Sequence, residues 1–128
     1  MKLSLTAAML LLLDVPTNTQ EAMADAPAPL PSAVHCAALF SLTHDTLSRK
    51  SGDPAMTAGF AEDAAALRRI VIAAEAPASD AEARADAAIA AAKKALIAEQ
   101  AARAARGDET PQDLNPCYRV KALGPRVE

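Results

Sequence analysis

The 29 residues from Ala78 to Arg106 contain neither proline nor glycine, and 15 of them are alanine. A helix is the structure that suits such a run, because alanine has the highest helix propensity and gives a sheet neither β-branching nor bulk. The same composition makes for a shallow buried face. Alanine supplies 34 of the 128 residues, and beyond the first two dozen positions only about twenty larger apolar side chains remain. The expected class is therefore all-α, one small domain with a thin core.

Punctuation on either side of this run divides the chain into helices. Ser79, with Glu82 three residues on, reads as a capping box that opens the longest helix, and Gly107 reads as its left-handed stop. Asp80 to Arg84 and Glu99 to Arg103 have the spacing of helical ion pairs. Its inner face would be Ala85, Ile89, Ala92 and Leu96, with Ile97 alongside. Upstream, Asp53 followed by Pro54 is a strong helix start, with an acceptor at the cap and a proline where its missing N–H costs nothing. That second helix should run to about Ala76, with Met56, Phe60, Leu67, Ile70, Val71 and Ala74 facing inward and Glu62, Arg68 and Arg69 facing out. Asp63 falls at the stripe's edge, as a boundary carboxylate in water or paired with a basic residue.

The first helix is expected from Ala33, capped by Ser32, to about Arg49, with Ala33, Cys36, Phe40, Thr43 and Leu47 on one stripe. At the other end, Asn115-Pro116 and Gly124-Pro125 bracket a short fourth helix over Pro116–Leu123. An extended segment is the rival, since apolar and polar residues alternate there, but no other stretch offers it a sheet partner. The expected architecture is an up-and-down bundle of three main helices plus a short C-terminal one.

The first residues read as a secretory signal peptide. Lys2 precedes an apolar run from Leu3 to Leu13, stopped by Asp14 and Pro16. Eleven residues at about 1.5 Å each cover roughly half a bilayer's hydrocarbon thickness, too little to span it. Ala22 and Ala24 supply the small residues of a cleavage site, expected after Ala24. No stable membrane insertion is expected after cleavage. The expected organisation is thus a signal peptide over 1–24, a Pro/Ala-rich extended leader over 25–31, a helical domain over 32–124 and a tail over 125–128.

Export changes the meaning of the two cysteines. Cys36 and Cys117 are the only ones in the chain, and an oxidising destination makes a disulfide between them the first reading. Closing a loop of that size removes unfolded-state entropy worth roughly 4.5 kcal/mol in the loop-closure model. That is a large share of the 5–15 kcal/mol typical of a domain. There is no C-x-x-C pattern to tune a thiol for redox work.

Few residues are placed for other chemistry. A formal charge of −3 provides no positive field for phosphates, and with no tryptophan and one tyrosine there is no stacking platform, so nucleic acid is excluded as a partner. His35 and His44 are nine residues apart, on opposite sides of one helix, and cannot share a metal. Neither a nucleophile elbow nor a glycine-rich phosphate loop is present. Glu62 and Asp63 are adjacent, about 100° apart on a helix, and so are not a paired acid and base.

The expectation is a non-enzymatic exported protein, periplasmic or secreted, that needs no cofactor and no metal. It would serve as a structural or protein-interaction module, completed by another protein or by itself as a dimer. The alternative is a small-ligand or haem binder using the space between helices, with His44 and Met56 as the available axial pair.

Overall fold

The computed structural model describes residues 29–50 and 52–125. The expected signal peptide with Ala22 and Ala24, the leader as far as residue 28, and the last three residues lie outside them. Four helices form: α1 Ala33–Arg49, α2 Pro54–Glu75, α3 Ala81–Ala105 and α4 Asn115–Leu123. There is no strand among the described residues.

The expected starts hold for α1 and α2. Ser32 Oγ accepts the His35 N–H at 3.1 Å, and the Asp53 carboxylate accepts the Ala55 N–H at 3.0 Å with Pro54 in the first position. At the end of α3, Gly107 takes φ 76°, the Asp108 N–H reaches the Arg103 carbonyl at 2.9 Å and the Gly107 N–H reaches Ala104 at 3.0 Å. That pair of bonds is the Schellman closure, which satisfies carbonyls left over by the last turn. Gly124, with φ 67°, ends α4.

The start of α3 differs from expectation. Asp80 occupies the cap without a side-chain cap bond. The Ser79–Glu82 capping box does not form: Glu82 is drawn to Arg68 of α2, from which it accepts at 2.8 Å, and Asp80, which takes the cap position instead, accepts from Arg84 at 3.0 Å. Arg103 likewise turns from Glu99 to the linker, where it donates to Asp108 at 3.1 Å and to the Thr110 carbonyl at 2.8 Å. In α4, Asn115 lies inside the helix rather than at its cap, and its N–H donates to the Asp113 carboxylate.

α1 is the hub, in contact with each of the other three helices. Cys36, Ala37, Ala38, Leu39 and Phe40 are all buried. Five successive residues turn through more than a full circle, so this part of α1 is enclosed on every side. Leu39 and Leu42 therefore join the core although they lie off the expected stripe, while Thr43 and Leu47 are only half-buried. Leu67 and Val71 of α2, Ala85 and Leu96 of α3, and Cys117 and Val120 of α4 are also buried.

Three inward assignments are corrected. Met56, in the first turn of α2, is 54% exposed, Ile97 is 50% exposed, and Ala74 is exposed. Arg68 is corrected in the opposite sense. It bridges to α3, with Nε donating to Asp86 at 2.6 Å in addition to the Glu82 bond.

The cross-helix contacts fix the direction of each helix. Ala37 and Ser41 of α1 lie with Asp86 and Ile89 of α3 around one small cavity, and Asp45 meets Lys93. Residue numbers rise together, so α1 and α3 run parallel with α2 antiparallel between them. After α3 the linker brings the chain back. Tyr118 meets Phe40 and Lys121 meets Asp63, while Val120 and Gly124 share a groove with Ala33, Ile70 and Ala74. α4 thus runs parallel to α2 and antiparallel to α1.

Candidate functional site

The two cysteines meet as expected. Cys36 and Cys117 form a disulfide with Cα atoms 5.3 Å apart and a sequence separation of 81. Both are buried, within the cluster that holds Leu39, Phe40 and Leu67. The linker makes this geometry possible. The Asp45–Lys93 pairing sets the end of α1 level with Ile97, and α3 runs on to Ala105, so the chain must return roughly 30 Å to reach the level of Cys36. The nine residues from 106 to 114 can cover up to about 30 Å.

Around the bond, α4 is set down on an aromatic and acidic border. The Phe40 ring lies 6.0 Å from that of Phe60 and 5.0 Å from that of Tyr118, both tilted. Lys121 Nζ donates to Asp63 Oδ1 at 2.5 Å, so the boundary carboxylate is the paired one. Asp63 raises the Lys121 ammonium above its usual range. Burial and the same carboxylate raise the Tyr118 phenol.

Near the bond runs a groove of about 560 Å³, lined by Leu30, Ala33, Ile70, Ala73, Val120 and Gly124 among others. Its size is that of a small-molecule site. Its lining has no titratable side chain. Leu30, at the end of the expected leader, packs against the core.

A second cluster joins α1 to α3. Lys93 Nζ donates to Ser41 Oγ at 3.2 Å and pairs with Asp45, whose other oxygen faces His44 Nδ1 at 3.2 Å. The hydrogen bond from Lys93 holds the Asp45 carboxyl below its ordinary range, helped by His44. Lys93 also fixes the orientation of the Ser41 hydroxyl. The cluster ties two helices together across 48 residues. No local pattern announces it, because Ser41, Asp45 and Lys93 each look like ordinary surface residues of an amphipathic helix.

Of the two residues available as an axial pair for haem, His44 contacts Asp45 and Met56 is 54% exposed. Among the described residues, no group of three His, Cys, Asp or Glu side chains is arranged to hold a metal ion. No described helix is long and apolar enough to cross a membrane. Comparison with protein-family models, with curated proteins and with solved structures gives no match. The fold and the site define a small disulfide-tied helical bundle.

Proposed function

We propose that this chain is an exported helical module, periplasmic or secreted, that acts by binding a protein partner or a second copy of itself rather than by turning over a substrate. The observation that carries the reading is the buried Cys36–Cys117 bond. A bond that closes most of a thin, alanine-rich domain suits an oxidising compartment. The apolar run of Leu3 to Leu13 behind Lys2, with Ala22 and Ala24 beyond it, supplies a route there. Met56, Ile97 and Leu123, on three different helices, are large apolar side chains left at the surface, which a partner would cover.

Native mass spectrometry of the full chain purified from its own host, with and without reductant, tests the reading. The expected species begins after Ala24, carries the disulfide and is held in a complex with a protein or with itself. A full-length chain with two free thiols would overturn the export half, and a lone monomer that binds nothing would overturn the interaction half. The groove near the disulfide supports the second reading, a small-ligand binder, since its volume fits one. A ligand mass in the same spectrum, or a visible absorbance band for haem, would favour it.

A further inference from the structure

α4 is held differently from the other helices. It packs on α1 and α2 and makes no contact with α3, and only Cys117 and Val120 of its nine residues are buried. Tyr118 rests on Phe40 yet stays 41% exposed, and Lys121 meets Asp63 at the surface. A helix of this length has no stability of its own in water. The linker from Gly107 to Asp113 is exposed throughout. α1, α2 and α3 also hold one another directly: Leu39, Leu42, Leu67 and Leu96 belong to them, and the Arg68 and Lys93 bridges run to and from α3.

We propose that α4 is a disulfide-locked strap over a helix-binding face of α1 and α2, and that a dithiol which opens Cys36–Cys117 frees it while α1 to α3 stay folded. The face fits a short amphipathic helix because α4 already shows the chemistry that it takes. An aromatic ring sits against Phe40, a branched apolar side chain two residues on is buried, and a base one residue further pairs with Asp63. The partner that replaces α4 is a helix of that pattern. In the exchange, a thiolate of the dithiol attacks one cystine sulfur and displaces the other as a thiolate, giving a mixed disulfide. The second thiol of the dithiol resolves it, so the dithiol ends as a disulfide and Cys36 and Cys117 as thiols, two electrons and two protons having passed to the protein. Both sulfurs are buried, so attack waits on a local opening of the packing around the bond. The inference rests on this packing and stands apart from the destination proposed above.

Hydrogen-exchange mass spectrometry of the full chain, oxidised and after dithiothreitol, tests it together with a fluorescent peptide of residues Leu114–Gly124 carrying Cys117→Ser. On reduction, amides of α4 should lose protection while α1, α2 and α3 keep theirs. The helical circular dichroism should fall by about an eighth, since α4 holds nine of the 73 helical residues. Supplied in excess over the roughly millimolar effective concentration of the tethered α4, the peptide should bind the reduced chain and not the oxidised one, and a Tyr118→Ala peptide should bind about ten-fold more weakly, the worth of one aromatic pair. Protection of α4 that survives reduction, loss of all four helices together, or a peptide that ignores the reduced chain would each overturn the proposal.

Discussion

Replacing Phe40 by alanine should be the most damaging single change outside the disulfide. Phe40 is fully buried at the meeting point of α1, α2 and α4, with Phe60 and Tyr118 rings 6.0 and 5.0 Å away. Truncating a buried phenylalanine costs about 3–5 kcal/mol through lost transfer energy and the cavity left behind. The shallow core leaves little to fill that cavity, because Cys36, Ala37 and Ala38 beside it are small, so the upper part of the range applies. At roughly 0.05–0.15 kcal/mol per residue, the 93 residues from Ser32 to Gly124 have on the order of 5–14 kcal/mol in all. The variant thus loses about a third of its stability or more. Met56→Ala is the control: an apolar residue of similar size, 54% exposed, whose truncation should stay within about 0.5 kcal/mol. Urea unfolding of the oxidised proteins, followed by circular dichroism, measures both. A Phe40→Ala loss below about 1 kcal/mol, or a Met56→Ala loss of equal size, would refute this packing.

Two glycines should respond with opposite sign. Gly59 lies in mid-α2 with nothing within 4 Å of an added Cβ, so Gly59→Ala should stabilise by about 0.5–1 kcal/mol. Gly107→Ala, at φ 76° and with equally open space, should destabilise by about 1–2 kcal/mol; both follow from the same urea titration. Ser32→Ala removes the acceptor for the His35 N–H and should cost about 0.5–2 kcal/mol, read as a lower thermal midpoint. In acid, the carboxyls of Asp45, Asp86 and Asp108 are held below their ordinary 3.8 by hydrogen bonds from Lys93, Arg68 and Arg103, Asp108 at about 2. Groups depressed in the folded state stabilise it above the ordinary value and lose that contribution as pH falls through the folded one. Stability should therefore decline from about pH 4 to pH 2, less steeply in Asp108→Asn; a flat profile over that window would contradict these pairings.

Helix ends were largely legible in the residues, because caps and stops act within a few positions. Ser32, Asp53-Pro54 and Gly107 did what their local chemistry dictates. The Ser79–Glu82 box failed for a reason that lies 14 residues away, where Arg68 competes for the Glu82 carboxylate. The enclosed middle of α1 was illegible for another reason. Periodicity marks a stripe, and Ala37 and Ala38 carry almost no signal, although their small size lets neighbouring helices close on both sides. Met56 shows the converse: it fits the apolar period of α2 but sits in its first turn, exposed. At the site, two cysteines and an oxidising destination were enough to expect the bond. Tyr118 on Phe40, Asp63 with Lys121, and Ser41 and Asp45 around Lys93 depend on how the helices are set side by side, which no single segment encodes.

The disulfide between the core of α1 and the returning α4 is tested most directly by a non-reducing tryptic map of the native protein. The expected result is one cross-linked species joining the peptide that ends at Arg49 to Gly107–Arg119, separating into its two halves on reduction. Free thiols on both peptides, or a Cys36–Cys36 or Cys117–Cys117 link between chains, would contradict it.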